Sequence, residues 1–425
     1  MLTMKCATLK IRLLALCLFA VSGAVAQTAP EDLVRNRDRA AGIYHSYEYL
    51  PGADVPAPKG YEPFYISHYG RHGSRYHISQ AAYEQPLKAL RKAAAAGTLT
   101  PRGEEILAVA EALAEDARLR YGDLSPRGVG EHRGIAERMF AAYPEVFSTA
   151  RGRECLVECR STLVPRCILS MSAFSERLKE LNPAIRITRD ASARYLDYMA
   201  NGTAQNAVNK EAGRVADSVF HAWVHPERVI GVLTTDPSSI GDPDKFVHRL
   251  FNLLSIMQDA SHLGLEPFYD LFTDEELYDL WAAENVRRYL QMGPSARFGE
   301  GIVADARPLL RNIVETAQEV IDGKLPLSAS LRFGHDTYII PLLALMGVEH
   351  ASARESDLAE VASVWSVERV SPMAANLQLV FFRHPKTGDV RVRVLHNEHD
   401  ANLPIEGGPY YPWPVLKAYF EALCQ

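Results

Sequence analysis

Residues 61–75 read YEPFYISHYGRHGSR, and this stretch is the clearest indication of how the chain folds. Residues 61–67 are rich in aromatic and β-branched side chains, which predicts a β-strand. The strand leads into residues 68–76, HYGRHGSRY, whose two glycines and clustered cations predict a loop. A loop that carries polar groups directly after a strand is typical of the edge at which α/β sheets bind ligands.

The predicted loop has the composition of a phosphate-binding and phosphate-transferring segment. Arg71 and Arg75 flank His72 within five residues, and the planar guanidinium group matches phosphate oxygens while keeping its charge. Gly73 lets the backbone approach a ligand closely. A neutral imidazole can attack phosphorus and form a phosphohistidine, which divides hydrolysis into two steps. The alternative interpretation of this pentapeptide is a solvated basic loop.

A second turn of the same kind occurs at Gly334-His335-Asp336. Residues 329–333 (ASLRF) predict a buried strand, and a helix is expected to follow as far as Gly347, with Pro341 in its first turn. His335 can hold a phosphate oxygen, and Asp336 can give a proton to a leaving alcohol. Neighbouring cations lower the pKa of a carboxyl group, so this role needs a bound phosphate dianion or an acidic pH. Alternatively, Asp336 is an ordinary helix cap.

A third turn follows the apolar, β-like residues 154–159. Arg160-Ser161-Thr162 comes next, and a helix is predicted from Pro165, with Arg166 and Ser170 near its start. These side chains could complete a phosphate clamp, or they could be capping residues.

Strands and helices alternate at both ends of the chain, and helices predominate between about 190 and 315. Helices are expected over 80–97, 102–120 and from Ser125-Pro126 to Tyr143, and late strands over 374–383 and 389–395. The pattern predicts an α/β domain from residues 27–190 and 315–425, interrupted by a helical insertion over 191–314.

The N-terminus has the features of a secretory signal peptide. A positively charged segment is followed by an apolar run over 13–21 and by Ala24-Val25-Ala26, which fits the A-x-A cleavage pattern. Removal of residues 1–26 leaves 399 of the 425 residues, starting at Gln27. We therefore expect a protein of the periplasm or the extracellular space, with no membrane association after cleavage.

The net charge is −6, and it becomes −9 without the three cations of the leader. Nucleic-acid binders normally carry a basic excess, so no nucleic-acid partner is expected. Cleavage leaves four cysteines, and their spacing matches no common zinc pattern. They are Cys155, Cys159, Cys167 and Cys424. A disulfide and buried free thiols both remain open.

Taken together, the three turns resemble the histidine acid phosphatases, the branch of the histidine phosphatase superfamily that contains phytases and inositol polyphosphate phosphatases. The resemblance rests on R-H-G-S-R at 71–75, R-S-T-x-x-x-R at 160–166, H-D at 335–336 and LSPRG at 124–128. It implies a three-layer α/β domain with a central mixed sheet and an inserted α-helical cap.

The resemblance also implies a phosphomonoesterase that uses neither a metal nor another cofactor. It assigns His72 as the nucleophile and Asp336 as the proton donor. It assigns Arg71, Arg75, Arg166 and His335 to binding of the phosphoryl group, with Arg166 matching better than Arg160. The chain departs from the inositol polyphosphate phosphatase branch at 335–337, where H-D-T replaces the H-A-E typical of that branch.

The expected activity is hydrolysis of phytate or a lower inositol polyphosphate. The nearest alternative is a broad-specificity or sugar-phosphate acid phosphatase. A phosphoglycerate-mutase-like phosphotransferase shares the phosphohistidine chemistry, but the leader argues against a cytosolic enzyme. A non-catalytic phosphate-binding module would need neither His72 nor Asp336.

Two further groups of polar residues are weighed as secondary candidates. Residues 396–400 (HNEHD) are interpreted as a polar loop near the cleft in preference to a metal site, because their spacing is not HExxH. Six cap residues can contact outer phosphates, although a solvated helix face is the preferred explanation for most of them. They are Lys210, Arg214, Arg228, Lys245, His248 and Arg249.

Overall fold

A mixed β-sheet forms the centre of the molecule. The protein is represented by a computed structural model that describes residues 30–52, 55–200 and 202–425. The strands are β1 (Glu62–Arg71), β2 (Leu156–Ser161), β3 (Arg186–Ala191), β4 (Ala329–Gly334), β5 (Asn376–Arg383), β6 (Val390–His396), β7 (His399–Asp400) and β8 (Tyr410–Pro412). Their order is β3-β2-β4-β1-β5-β6-β7, and β8 pairs with β6.

The register of the parallel strands brings the three predicted turns to one edge of this sheet. Strands β3, β2, β4 and β1 are parallel, whereas β5 runs antiparallel to β1, and β6 runs antiparallel to β5. Arg71 pairs with Gly334, and Ser161 pairs with Phe333. The carboxyl ends of β1, β4 and β2 therefore lie side by side, which is where open α/β sheets place their ligands.

Helices cover both faces of the sheet, because successive strand residues point to opposite sides. Tyr65 and Tyr69 of β1 belong to an apolar core with the helices Arg307–Ile321, Asp336–Leu345 and Trp413–Leu423. Ile66 belongs to a second core with the helices Pro126–Ala142 and Pro165–Leu181. This arrangement is a three-layer α/β fold with a mixed central sheet, as the resemblance implies.

The described helices are distributed along the chain as follows. They are α1 (Pro30–Arg35), α2 (Gln80–Ala95), α3 (Pro101–Asp116), α4 (Pro126–Ala142), α5 (Pro165–Leu181), α6 (Leu196–Met199), α7 (Thr203–Trp223), α8 (Glu227–Leu233), α9 (Pro243–Ser255), α10 (Asp274–Met292), α11 (Gly299–Ala304), α12 (Arg307–Ile321), α13 (Asp336–Leu345), α14 (Val361–Val364), α15 (Val367–Val370) and α16 (Trp413–Leu423).

Local capping signals explain several helix starts. Ser125 caps α4, with Pro126 as the first helical residue, and Thr273 and Glu276 form a capping box at α10. A separate apolar core joins the helices around α2, α3, α9 and α10. Residues 191–314 are mostly helical, while their division from the rest of the chain as a cap domain stays a prediction.

Three expectations about local structure are wrong. Strand β3 is missed because RITRDA is mostly exposed at the sheet edge and lacks an apolar pattern. Pro341 lies inside α13 and not in its first turn, because the helix begins at Asp336. Residues 30–52, for which the sequence predicts no helix or strand, contain α1 and a 3-10 segment, Arg37–Tyr44, which lies against α9, α10 and α15.

The N-terminal residues 1–26, predicted to be a signal peptide, lie outside the described residues. Within the described part of the chain, none of the helices has the length and apolar character needed to cross a bilayer.

Candidate active site

The loop that follows β1 orients an imidazole for nucleophilic attack. His72 is 1% exposed, and its Nδ1 lies 2.9 Å from the carbonyl oxygen of Gly73. Burial, followed by the charges of Arg71, Arg166 and Arg75, lowers the pKa of His72 well below its usual value. The ring is therefore neutral at ordinary pH. Because the Gly73 carbonyl can only accept, Nδ1 carries the hydrogen and Nε2 keeps its lone pair.

Two guanidinium groups from the same loop lie beside this imidazole. Arg71 is fully buried, and its Nη1 donates to the carbonyl oxygens of Ile43 at 2.8 Å and Ser371 at 2.7 Å. Arg75 donates from Nη1 to the carbonyl of Tyr76 at 2.9 Å. Among the described residues, Nε of neither arginine has a hydrogen-bond partner. Buried donors without partners suit an anion that arrives from solvent.

The end of β4 brings a second imidazole to His72. The rings of His72 and His335 lie 5.7 Å apart between centroids. Burial, followed by the charge of Arg166, lowers the pKa of His335 to about 4, so this ring is also neutral above acidic pH. Thr162, at the end of β2, places its Oγ1 3.2 Å from Nε2 of His335 and thus links the third strand end to the site.

Asp336 is the carboxylate of the cluster. Its Oδ2 lies 3.3 Å from Nη2 of Arg71, and 19% of its side chain remains exposed. Burial alone would raise the pKa of Asp336, but the charges of Arg71, His335 and Arg75 outweigh burial and lower it. Asp336 is thus ionised in the free protein except at low pH.

Close packing beneath the site requires glycine at two strand ends. A Cβ atom on Gly334 would lie 2.2 Å from the hydroxyl of Tyr69, the group that accepts the backbone N–H of His335. A Cβ atom on Gly73 would lie 2.6 Å from the carbonyl oxygen of Gly128, in the first turn of α4. These contacts let β1, β4 and α4 meet at the imidazoles.

We expect Gly334→Ala to displace His335 and lower both stability and turnover. Overpacking a filled interior costs about 1–3 kcal/mol. Thermal unfolding and phosphate release would measure the two effects. The matched control is Gly231→Ala in α8, where a Cβ atom meets nothing within 4 Å. A Gly334→Ala variant with the same melting temperature and the same rate of phosphate release as the control would contradict the close-packing account.

The structure gathers the six residues predicted from sequence, namely Arg71, His72, Arg75, Arg166, His335 and Asp336. Arg160 does not join them, because its guanidinium donates to Glu158 at 2.8 Å and Tyr198 at 3.1 Å. The four described cysteines are free and buried. Cys167 lies 3.7 Å from Nε2 of His335, and burial raises the pKa of its thiol to about 11.

Residues 396–400 comprise the end of β6, a turn at 397–398 and the short strand β7. His396 is 4% exposed and its Nε2 bonds to the carbonyl of Val370 at 2.9 Å. Glu398 accepts from Arg138, and Asp400 accepts from Arg393. These contacts give His396, Glu398 and Asp400 partners within the protein.

A cation-lined cavity of about 230 Å³ adjoins the site. Tyr44 contributes to its wall and also lies under Arg75, whose Cζ is 5.3 Å from the ring centroid. The cationic lining comes from α9 and α10. It consists of Arg249, Arg287 and Arg288, with the imidazole of His248 beside them and Glu284 as the only carboxylate that lines the cavity.

Glu284 neutralises only part of this charge. It contacts Nε2 of His248 at 2.8 Å, Nε of Arg287 at 2.9 Å and Nη2 of Arg288 at 3.6 Å. Arg249 forms no ion pair with a described residue within 4 Å. Arg287 and Arg288 were missed from sequence, although their positions three and four residues after Glu284 are a readable helical pattern.

The other predicted cap cations lie away from this cavity. Arg228 pairs with Glu276, and Lys245 pairs with Asp242 at 2.6 Å. Lys210 and Arg214 are exposed on α7. Only His248 and Arg249 of the six predicted residues line the cavity.

A family model for the histidine phosphatase superfamily, branch 2, matches residues 70–397. The chain belongs to this family. It is therefore a phosphatase, and the matched span contains all three strand ends described above. Among curated protein sequences, none shows significant similarity to the chain.

Solved structures agree with this family's fold at low sequence identity. The multiple inositol polyphosphate phosphatase of Bifidobacterium longum in complex with phosphate is 20% identical, with a TM-score of 0.71, over 90% of this chain and 98% of the other. The complex of the same enzyme with inositol hexasulfate is 19% identical, with a TM-score of 0.70, over 89% of this chain and 97% of the other. The phytase from D. castellii is 16% identical, with a TM-score of 0.64, over 91% of this chain and 85% of the other. The histidine phosphatase fold thus extends over most of the chain.

Proposed function

We propose that this histidine phosphatase hydrolyses inositol polyphosphates, phytate among them, through a phosphohistidine on His72. The observation that carries the proposal is the cluster at three strand ends. It combines a neutral, oriented imidazole, guanidinium groups with unpaired buried N–H donors and a carboxylate, and a cation-lined cavity lies beside it. The cluster supports the reaction, and the cavity supports a substrate with several phosphates.

The first step transfers the phosphoryl group to the enzyme. Nε2 of His72 attacks phosphorus, the N–P bond forms, and the bond from phosphorus to the inositol oxygen breaks. Arg71, Arg75 and Arg166, with His335, hold the phosphoryl oxygens and stabilise their developing charge. Asp336 gives its proton to the departing alkoxide.

The second step returns the enzyme to its starting state. Asp336, now ionised, takes a proton from water as the water oxygen attacks phosphorus and the N–P bond breaks. Arg71, 3.3 Å away, favours the ionised form that this step needs. The first step needs the protonated form, which an incoming phosphate dianion favours because it offsets the charge of Arg71.

Charge supports this substrate class. Arg249 and Arg288 line the cavity whose wall includes Tyr44, the ring that lies under Arg75, and a monophosphate held at His72 has no further group to place there. A ring that carries several phosphates can present one to His72 and others to the cavity.

A phosphate-release screen tests this substrate class. It compares phytate, glucose 1-phosphate, bisphosphoglycerate and an aryl phosphate at acidic and neutral pH. We expect the highest kcat/KM for phytate. A preference for glucose 1-phosphate would favour a sugar-phosphate phosphatase, and transfer between phosphoglycerates in place of release would favour a phosphotransferase.

We expect Arg249→Ala to lower kcat/KM for phytate by roughly tenfold, since a hydrogen bond to a charged group contributes about 1.5–3 kcal/mol. Turnover of an aryl phosphate should change by less than twofold. Lys245→Ala is the matched control, because Lys245 lies one turn earlier in α9, is exposed and pairs with Asp242. Equal losses on both substrates would argue against an outer-phosphate contact.

We also propose that the protein is exported to the periplasm or secreted, on the basis of the charge, apolar length and cleavage pattern of residues 1–26.

A further inference from the structure

Two buried carboxyl groups lie behind the loop that carries His72, and two serines connect them. Glu131 comes from α4, and Asp259 comes from the 3-10 segment Met257–Leu263. Ser74 Oγ lies 2.7 Å from Oε1 of Glu131 and 3.1 Å from Oγ of Ser46. Oγ of Ser46 lies 3.0 Å from Oδ1 of Asp259. The four side chains form a continuous chain of oxygen atoms.

The number of available hydrogens bears on the protonation of this chain. The contacts of the two carboxyl groups with the serines, at 2.7 and 3.0 Å, have the usual length of an O–H···O bond, and the Ser46–Ser74 contact is slightly longer at 3.1 Å. The two serine hydroxyls supply two hydrogens. With both carboxyl groups ionised, one of the three contacts has no hydrogen between its oxygens, although Ser46 and Ser74 are almost fully buried. A proton on one carboxyl group gives each contact its hydrogen.

The remaining contacts favour a proton on Asp259. Burial raises the pKa of Glu131, but Glu131 accepts the backbone N–H of Ser74 at 2.7 Å and of Tyr47 at 2.9 Å, which favours its ionised form. Asp259 accepts one backbone N–H, from Arg75 at 3.4 Å, and faces the hydroxyls of Ser46 and Ser74. Burial, followed by the charge of Glu131, raises the pKa of Asp259 to about 8.

The direction of each hydrogen bond follows from this assignment. Asp259 donates to Ser46, Ser46 donates to Ser74, and Ser74 donates to Glu131. Ser74 stands between Gly73, whose carbonyl orients the imidazole, and Arg75, whose guanidinium is part of the site. The chain thus fixes the backbone on the C-terminal side of His72.

We propose that Glu131 and protonated Asp259 are positioning residues that hold the 72–75 loop through Ser74 and Ser46, and that loss of the shared proton releases the loop and lowers activity at alkaline pH. This inference rests on the proposed role of His72. The carboxyl groups touch no substrate and act only through the loop.

Charged and titratable groups from several elements face this network. Those that face Asp259 are Glu131, Arg75, Arg71, Tyr83 and Tyr269, and Arg127 lies 3.9 Å from Glu131. The cations favour ionisation of Asp259, whereas Glu131 opposes it more strongly.

The assignment predicts opposite outcomes for two isosteric substitutions. In Asp259→Asn, the amide N–H replaces the donated proton and the amide oxygen still accepts from Arg75, so kcat/KM at pH 5 should fall by less than threefold. In Glu131→Gln, the amide has one accepting oxygen for three donors, which are the backbone N–H groups of Tyr47 and Ser74 and the Ser74 hydroxyl. In either orientation of the amide, its NH₂ group faces a backbone N–H. We expect a loss of at least 30-fold there.

The experiment measures kcat/KM for an aryl phosphate from pH 5 to 9.5 in wild type, Asp259→Asn and Glu131→Gln, with thermal unfolding of each. The kcat/KM of Asp259→Asn divided by that of wild type should be constant at pH 5–7 and rise above about pH 8, because only wild type can lose the proton of Asp259. A ratio that stays flat, or a Glu131→Gln variant that outperforms Asp259→Asn at pH 5, would overturn the assignment.

Thermal unfolding separates this inference from the proposed reaction. A carboxyl group whose pKa is raised by folding makes the folded state less stable as pH rises between its unfolded and folded values. The melting temperature of Asp259→Asn relative to that of wild type should therefore increase between pH 5 and pH 8. A constant difference would count against the shared proton, whereas failure of the wild type to release phosphate from any ester would refute only the proposed reaction.

Discussion

Replacing His72 with alanine is expected to lower kcat for every phosphate ester by at least about 10⁴-fold, because the proposed reaction then lacks its nucleophile. The imidazole is neutral, and its Nδ1 hydrogen is engaged by Gly73, so only Nε2 is free to attack. A rapid alkaline quench during turnover should trap phosphate on wild-type protein and none on His72→Ala, since the P–N bond hydrolyses in acid.

Binding should survive this substitution, since the three arginines remain. Inorganic phosphate should still protect His72→Ala against thermal unfolding. The control is His221→Ala, because the His221 side chain is 80% exposed. Turnover within tenfold of wild type, with a normally folded variant, would remove His72 as the nucleophile.

The second large effect is expected for Asp336→Asn, and it should depend on the leaving group. General acid catalysis contributes about 10²–10⁴-fold, so kcat/KM for an inositol phosphate should fall by that amount. An aryl oxide leaves without a proton, so kcat/KM for an aryl phosphate should fall by less than about tenfold. The parameter kcat/KM is the appropriate one, because it reports the phosphorylation step.

The same residue predicts a difference in pH dependence. The charge of Arg71 outweighs burial and lowers the pKa of Asp336, so the protonated donor becomes more abundant as pH falls. Wild-type kcat/KM for an inositol phosphate should thus rise toward acidic pH more steeply than that for an aryl phosphate. Asp322→Asn, on the surface, serves as control. Equal losses on both esters, or parallel pH profiles, would contradict the general-acid role.

Short-range patterns made most of the fold predictable. Ser125-Pro126 and Thr273 mark helix starts because each side chain accepts a backbone N–H of its own first turn. The strands before His72 and His335 are recognisable because they are buried and apolar. Strand β3 is not recognisable from its sequence, because most of its side chains are exposed and show no apolar pattern. Its backbone pairing with β2 is what holds it in the sheet.

Some of the site residues are likewise predictable from local sequence, and others are not. The R-H-G-S-R and H-D segments indicate phosphoryl chemistry by themselves, since few other tasks need those groups together. The choice between Arg160 and Arg166 depends on their contacts. The guanidinium of Arg160 donates to Glu158 and Tyr198, whereas the charge of Arg166 acts on His72 and His335. Glu131 and Asp259 carry no local signal, because nothing near them in sequence reveals that they meet at Ser74.

The sequence by itself determined an α/β fold with three cation-bearing strand ends, because strand propensity, turn glycines and the chemistry of arginine and histidine are local properties. Only the tertiary structure decided that Arg71 pairs with Gly334, that Arg249 and Arg288 share a cavity with Tyr44, and that Ser74 and Ser46 connect Glu131 to Asp259. These are contacts between residues far apart in the chain, and the register of β-strands and the packing of helices, which depend on the whole core, establish them.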